Sequence, residues 1–559
     1  MSQETITHRV SRGAFYLAVE KLSAMSSGIL YLALVLRWLG AYRYGILVLA
    51  LAVAGMAATA SGNLEMYLER YAAEYLALGR LKTLRRAHLL ALAGKLLLGV
   101  AAAFVMVALS PAIAHFYHRP ELIALLPWLA ALVAFDGLWT TGRATLFGLE
   151  RFRVMSLIAL VFNLLKVLLV GALWASHEAT LVPLAIGLSA LAVAQGAVAS
   201  AVPLWMLRRA ADPPGPAPEG GTGPLARHMV RYCTPLLLAR VSFLSSQNLS
   251  VIVLGKLFDP GMLGLYASAS RVIERFIEVA NTLPTALLPS LTQLWARGER
   301  DRLQTVLDHA FRLGQAGSCA LALLLFLFAR EMMLLAGSPL FVQAIPIFMV
   351  LALVPVARTA QQPLTMLFRA MRRPGTEFGL ALIKFVSEFA GYFLLVPAIG
   401  LVGAAWANLS GAVVSYAAAL IVLARILPDR DGERGRVMVK SIGLLALALV
   451  AGAWLERHAP VPSGGTLRAL LAPAGLVNLA ARALLFPLAV AAAFGLGLLT
   501  REDLERVSAL PLKGAWMPRV RDGLVAAAQV LARPKLQRGA TPVALLLATA
   551  LALRTGGMA

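Results

Sequence analysis

Apolar runs of about 20 residues recur along almost the whole chain, the length that an α-helix needs to cross the hydrocarbon core of a membrane. Of the 559 residues, 59% are hydrophobic and only 14% are charged, whereas about 25% of residues are charged in a typical soluble protein. A soluble enzyme of this length would need long polar connections between several domains, and such stretches do not recur here. The chain is therefore predicted to be an all-α, polytopic membrane protein.

Hydropathy predicts about fourteen transmembrane helices. They cover 13–36, 44–68, 88–113, 121–142, 153–175, 179–206, 230–254, 262–290, 313–337, 341–368, 377–398, 401–426, 440–456 and 469–498. A hydrophilic stretch rich in Pro and Gly, typical of a flexible linker, follows the sixth. The expected parts are a six-helix lobe at 1–206, a linker at 207–229, a second six-helix lobe at 230–427, two additional helices at 428–499 and a basic amphipathic tail at 500–559.

The excess of positive charge follows the predicted topology. The chain has 51 Lys and Arg against 28 Asp and Glu. In the predicted loops, Lys and Arg are about five times as frequent on the side of the N-terminus as on the other side of the membrane. Cytoplasmic loops carry this bias, so we expect both termini in the cytoplasm and no nucleic-acid partner. For the tail we expect a position on the anionic membrane surface, with a partner-binding segment as the alternative.

The two halves of the chain resemble each other. A shift of 219 residues lays Lys21 on Arg240 and Gly45 on Gly264. Each copy reads as a span, a basic residue, a short loop, a glycine, a second span and a charged helix. Repeats with an even number of spans share one topology, which predicts two lobes related by an axis along the membrane normal.

Three segments carry a family resemblance: LVLRWLGAYRYGILVLALAV in the first half, and VLGKLFDPGMLGLYASASRV and LPTALLPSLTQLWARGERDRL in the second. Over residues 10–427 the chain resembles the polysaccharide transporter family. These proteins are oligosaccharide-lipid flippases of the multidrug/oligosaccharidyl-lipid/polysaccharide flippase superfamily. The resemblance implies a two-lobe, V-shaped, multidrug-exporter-like fold that moves undecaprenyl-pyrophosphate-linked sugars outward by alternating access.

Charged residues inside the predicted spans are the candidate site, because a charge at mid-membrane usually faces a cavity or a partner. Bases exceed acids there, which suits an anionic ligand. Candidates for binding pyrophosphate in the cavity are Lys21, Arg240, Arg271, Arg275, Lys166 and Arg358. Candidate orienting or coupling carboxylates are Glu20, Asp136, Glu274, Glu278 and Glu388. Candidate sugar contacts are Gln247, Asn248, Gln361 and Gln362.

The stripe formed by Arg271, Glu274, Arg275 and Glu278 has two open interpretations. It is either an intrahelical ladder of salt bridges or part of a cavity wall, where the planar guanidinium groups of the arginines suit a pyrophosphate.

Other candidates also keep alternatives open. Lys21 and Arg240 either face a cleft or extend to the interface. Lys166 is expected in a cavity or paired with Asp136, and the pair of Lys384 with Glu388, four residues apart, is expected to be structural.

Arg358, Gln361 and Gln362 lie between Pro355 and Pro363. A proline-bent helix with polar side chains is expected there, either as a transporter hinge or sugar contact or as a bend of the kind that is common in ordinary helix bundles.

The leading hypothesis is a bacterial inner-membrane flippase for polyprenyl-pyrophosphate-linked oligosaccharide in surface polysaccharide assembly. The alternatives are a multidrug or cation exporter of the same fold and a membrane-embedded glycan polymerase, ligase or glycosyltransferase. We expect no enzymatic activity, no cofactor and no metal; Cys233 and Cys319 lie in or beside separate spans. Expected partners are the lipid-linked substrate and membrane lipids, with polysaccharide assembly proteins as a further candidate.

Overall fold

The chain is almost entirely α-helical in the computed structural model. The structure describes residues 3–176, 180–208, 222–285, 287–337, 339–371, 373–427 and 433–458, together with Leu485 and Ala489. Within these ranges there is no β-strand, and nine helices are long and apolar enough to cross a membrane. The predicted all-α membrane fold is confirmed, while the number of fourteen spans stays a prediction.

The first of two compact units runs from Met1 to Ser268. Its described helices are α1 (Gln3–Thr59), α2 (Glu65–Ala77), α3 (Leu81–Ala108), α4 (Ser110–Tyr117), α5 (Glu121–Gly148), α6 (Phe152–Ala175), α7 (Leu181–Met206), α8 (Thr222–Leu257) and the first part of α9 (Pro260–Ala280). Helix α5 packs along α3 and α7, and α1 packs along α5 and α6. These contacts bring polar residues of α1, α5, α6 and α7 together.

The second compact unit runs from Ala269 to Ala559. Its described helices are the rest of α9, α10 (Thr282–Thr285), α11 (Leu288–Arg297), α12 (Arg300–Leu327), α13 (Ala329–Ala336), a 3-10 helix (Pro339–Ala344), α14 (Ile345–Leu351), α15 (Val354–Arg358), α16 (Gln362–Ala370), α17 (Pro374–Ile426) and α18 (Glu433–His458). Leu485 and Ala489, the described residues of the predicted span 469–498, share a hydrophobic cluster with Leu323 and Leu445.

Two long helices are each broken at one glycine. Gly40 in α1 has φ of 70° and Gly400 in α17 has φ of 62°. L-residues with a side chain rarely adopt this left-handed conformation, so glycine permits the break. The breaks separate predicted spans 13–36 from 44–68 and 377–398 from 401–426.

Prolines divide two of the predicted spans into shorter helices. The predicted span 262–290 ends as a helix at Ala280, and the short helices α10 and α11 follow. The predicted span 341–368 consists of a 3-10 segment and three short helices, each with a proline in its first turn: Pro346, Pro355 and Pro363. Proline lacks the backbone donor of a helix interior and fits a first turn, which explains the divisions.

Helix α8 begins at Thr222, inside the predicted linker. Leu225 and Met229 are buried in one hydrophobic cluster with Tyr67 and Tyr75 of α2. Burial of these apolar side chains stabilises a helix where composition alone suggested a flexible stretch. Linker residues 209–221 and the predicted tail 500–559 lie outside the described residues, and the predicted domain boundaries stay predictions.

Two glycines that the internal repeat superimposes meet at one helix crossing in the first unit. A Cβ atom on Gly45 would overlap the carbonyl oxygen of Pro260, and a Cβ atom on Gly264 would overlap that of Ala41. Small residues at such crossings let helix backbones approach closely in membranes. The shared glycine is therefore a packing requirement in both copies of the repeat.

Candidate functional site

A cavity of about 420 Å³ lies inside the first compact unit, between α1, α5, α6 and α7. Most residues of its wall are small or apolar, and several are alanines, whose short side chains leave space open. The polar residues of the wall are Glu20, Asp136, Asn163, Lys166 and Gln195. Three of these, Glu20, Asp136 and Lys166, are candidates that the sequence analysis named.

Glu20 provides a buried carboxylate at the cavity wall. Its side chain is 10% exposed, and its Oε1 lies 3.9 Å from Nε of Arg143. Its other oxygen, Oε2, is buried and has no hydrogen-bond partner in the part of the chain that the structure describes. A buried acceptor without a partner is costly, so a bound group that donates a hydrogen bond would be favoured here.

Asp136 connects the cavity to a buried cluster of charges. Lys95 is fully buried, and its Nζ donates to Glu65 Oε2 at 2.7 Å and to Thr140 Oγ1 at 2.9 Å. The same Nζ lies 3.5 Å from Asp136 Oδ2, and the Asp136 side chain is 33% exposed. Lys95 therefore lies between two carboxylates, of which one lines the cavity.

The opposite part of the polar wall comes from α6 and α7. Lys166 and Asn163, three residues apart on α6, both line the cavity. Lys166 Nζ lies 3.5 Å from Gln195 Oε1 of α7. The cavity wall therefore carries an ammonium, two amides and two carboxylates. Trp139 adds an aromatic surface to the wall.

A second buried cluster surrounds Glu388 in the second compact unit. The Glu388 side chain is fully buried, and Lys384 Nζ donates to its Oε2 at 2.8 Å. Tyr392 Oη and Asn408 Nδ2 each donate to Oε1 at 3.0 Å. The predicted pair of residues 384 and 388 is formed, and two further donors complete it.

The charged stripe on α9 forms both pairs of the predicted ladder. Arg271 lies 3.5 Å from Glu274, and Arg275 lies 3.0 Å from Glu278. The side chains of Arg271 and Glu274 are 42% and 24% exposed. The guanidinium groups are thus oriented by neighbouring carboxylates, and they remain accessible within their own unit.

The remaining candidates of the second unit lie where α15 gives way to α16. Arg358 is the last residue of α15 and is half-buried. Gln361 Nε2 donates to Ser415 Oγ at 3.3 Å, and Ser415 Oγ donates to the carbonyl oxygen of Leu380 at 3.1 Å. Gln362 begins α16 and is half-buried.

The candidates near the ends of the two repeats are only partly described. Lys21 is exposed on α1, next to the buried Glu20. The backbone of α8 carries Arg240, Gln247 and Asn248, but the side chains of Arg240 and Gln247 lie outside the described residues. Asn248 is half-buried. The prediction that Lys21 and Arg240 face a common cleft therefore stays a prediction.

Comparison with known proteins bears on the whole arrangement. Residues 91–336 match a family model described as "Polysaccharide biosynthesis protein". The resemblance to the polysaccharide transporter family is confirmed. The matched segment runs from α3 to α13 and contains the cavity residues of α5, α6 and α7 together with the stripe on α9.

Solved structures show which fold this chain shares. "Lipid II flippase MurJ, inward closed conformation" matches with a TM-score of 0.61 and 11% identity, over 86% of this chain and 98% of that chain. An inward-facing "multidrug resistance MATE family transporter of the MOP superfamily" has a TM-score of 0.57 and 13% identity, over 74% and 97%. A MATE protein in complex with MaD5 gives 0.51 and 15%, over 74% and 94%. No curated protein matches the sequence significantly.

Several residues of both clusters were missed by sequence reasoning. Lys95 and Glu65 lie inside the predicted spans 88–113 and 44–68 but are not among the candidates. Asn163 had a usable signal, because it lies three residues before Lys166 and so shares its helix face. Gln195, Trp139 and Asn408 had none, since helix packing alone brings them to their clusters.

Proposed function

We propose that the chain is an inner-membrane flippase that moves polyprenyl-pyrophosphate-linked oligosaccharide from the cytoplasmic to the periplasmic leaflet for surface polysaccharide assembly. Alternating access is the proposed mechanism. The family match and the fold shared with MurJ and MATE proteins support a transporter of this superfamily. We infer its substrate from the chemistry of the site.

The single observation that carries the proposal is a cavity with charged and amide groups in its wall, lined by apolar helices: α1, and α5, α6 and α7 of the matched segment. A lipid-linked sugar has a head group rich in hydroxyls and a hydrocarbon tail. The head group needs hydrogen-bonding partners to leave water, while the tail stays in lipid. Carboxylate, amide and ammonium groups in the cavity wall are suited to that requirement.

We propose that basic residues outside the cavity of the first unit recognise the pyrophosphate. Arg271 and Arg275, each beside a glutamate, keep a planar fork that can contact phosphate oxygens in a bidentate manner. Lys21, Arg240 and Arg358 are the further candidates. We also propose that both termini are cytoplasmic, because the loops on their side are richer in Lys and Arg.

The charges around the cavity favour this substrate over a cationic drug. Each cavity carboxylate lies near a base: Arg143 is close to Glu20, and Lys95 pairs with Asp136. Lys166 adds another positive charge to the wall. A cation exporter would benefit from uncompensated carboxylates, which the first unit does not provide in its described cavity.

Depletion of the protein in its source bacterium tests the proposal. The sugars of the lipid-linked oligosaccharide are labelled in two preparations before extraction. In intact spheroplasts only the outer leaflet is accessible to the label, and in inverted vesicles only the cytoplasmic leaflet is accessible. We expect the glycan to accumulate on the cytoplasmic leaflet. Accumulation of single repeat units on the outer leaflet would instead indicate a polymerase, and normal glycan with retained cationic dye would indicate a drug exporter.

A further inference from the structure

We propose that the cavity of the first compact unit binds the uncharged sugar portion of the substrate, separately from the pyrophosphate. This inference rests on the proposed function and names which part of the substrate this site recognises. A volume of about 420 Å³ lies within the range of about 300–1,000 Å³ that is common for small-molecule sites.

The charge of the cavity and its immediate support is balanced. The acids are Glu20, Asp136 and Glu65, and the bases are Arg143, Lys95 and Lys166. A pyrophosphate would lie against the two wall carboxylates, and a cation would lie against Lys166. A pyrophosphate or a cation would lose its hydration without an excess of opposite charge in the cavity, which is costly in a low-dielectric environment. A neutral ligand avoids this cost.

The polar groups of the wall match sugar hydroxyls, which donate and accept hydrogen bonds at once. Glu20 Oε2 can only accept and has no partner in the described part of the chain. Asn163 offers both a donor and an acceptor, and no hydrogen bond to its side-chain amide occurs among the described residues. Hydroxyl groups between α1 and α6 would satisfy both side chains.

The apolar wall suits the other surface of a sugar ring. The C–H groups of a pyranose form a flat apolar face, and Trp139 provides an aromatic surface at the cavity. Ala192 of α7 and Ala159 of α6 are among the small residues that leave room for a ring. A larger side chain at Ala192 would occupy the volume without removing any polar group.

Binding to the full-length protein in lipid nanodiscs tests the inference with three probes. The first is lipid-linked oligosaccharide extracted from depleted cells, the second is undecaprenyl pyrophosphate without sugar, and the third is the cation tetraphenylphosphonium. Asn163→Leu removes polar contacts, and Ala192→Leu fills the cavity. Ala194→Leu, two residues further along α7 on an exposed surface, is the matched control.

We expect the wild type and Ala194→Leu to bind the oligosaccharide lipid more tightly than undecaprenyl pyrophosphate. Asn163→Leu and Ala192→Leu should lose about tenfold in affinity for the oligosaccharide lipid, the size expected when a buried polar contact or its space is lost. Their affinity for undecaprenyl pyrophosphate should be unchanged, which also shows that the variants are folded.

The other outcomes separate this inference from the proposed function. If the wild type binds both lipids equally, or if both cavity variants keep the preference for the oligosaccharide, the sugar site is refuted and the flippase proposal stands. If tetraphenylphosphonium competes and Glu20→Gln abolishes that competition, the cavity is a cation site. If the wild type binds neither lipid, the proposed function fails together with this inference.

Discussion

The two buried clusters, one in each compact unit, differ in whether a carboxylate still faces open space. In the second unit, the fully buried Glu388 receives hydrogen bonds from Lys384, Tyr392 and Asn408. In the first unit, Lys95 is equally buried, but its partner Asp136 is one-third exposed and lines a cavity. Both clusters bring charge into an apolar helical environment, and of the two only the first has a carboxylate that lines a cavity.

We propose that this difference separates charge that stabilises the fold from charge that binds the substrate. A fully buried carboxylate that already accepts three hydrogen bonds rigidifies the helical segments that supply the donors and is not accessible to a substrate. A carboxylate held by one buried lysine at the edge of a cavity is oriented and still accessible. The clusters should therefore respond differently to mutation: stability should change at the closed cluster, and binding should change at the open wall.

Removing Lys95 should produce the largest loss of stability. Lys95→Met leaves Glu65 and Asp136 close together without their shared cation, at a cost of about 3–5 kcal/mol, as for other broken buried ion pairs. Thermal unfolding of the purified protein measures the loss, with the exposed Lys82→Met on the same helix as control. Adding Glu65→Gln to Lys95→Met should recover part of the stability. Equal melting temperatures for Lys95→Met and Lys82→Met would show that the pair contributes nothing.

Changing Glu388 should cost less, because part of its network survives. Glu388→Gln keeps the size of the side chain but removes the charge that faces Lys384, with an expected loss of about 1.5–3 kcal/mol, as for hydrogen bonds to charged groups. Glycan export per folded molecule should stay unchanged. Export that falls without any loss of thermal stability would show that the second cluster takes part in transport.

Glu20→Gln should have little effect on stability and a clear effect on transport. One carboxylate oxygen has no partner among the described residues and the other lies 3.9 Å from Arg143, so the loss of stability should stay below about 1 kcal/mol, as for weak ion pairs. Export should fall several-fold because the amide donor replaces an acceptor at the sugar site. Unchanged export at wild-type protein levels would remove Glu20 from the binding wall.

Arg271→Ala should have the smallest effect on stability. Its partner Glu274 is three residues away and neither side chain is fully buried, so the pair should be worth about 0–1 kcal/mol. If Arg271 binds pyrophosphate, export falls, Arg271→Lys rescues only partly, and adding Glu274→Ala restores nothing. If the double variant regains both stability and export, Arg271 serves the ladder rather than the substrate.

Local periodicity was enough to predict most of the helices and the contacts within one helix. Apolar runs located the helices, and a spacing of four residues predicted the contact of Lys384 with Glu388. Proline effects were only partly predicted: a bend between Pro355 and Pro363 was expected, whereas the division of span 262–290 was not. Hydropathy does not reveal such a break, because the residues on both sides of it are apolar. The break arises because proline lacks the backbone N–H that a helix interior needs.

Contacts between distant helices could not be predicted from one sequence. Glu65 was placed in the span 44–68, but the helix ends at Thr59 and α2 starts at Glu65, after Gly62 with φ of 78°. That reversal brings Glu65 to Lys95, thirty residues along the chain. The rotation of each helix about its axis decides such pairs, and hydropathy reports only weakly on rotation when most faces of a helix are apolar.

Reconstitution into liposomes tests the central claim most directly. The purified protein is incorporated with lipid-linked oligosaccharide extracted from depleted cells, and the fraction of sugar accessible to a membrane-impermeant oxidant is followed with time. We predict that the wild type moves the glycan lipid between leaflets well above the rate of protein-free liposomes, and that Asn163→Leu is slower. A rate equal to that of protein-free liposomes, with folded wild-type protein that binds the lipid, would contradict the assignment as a flippase.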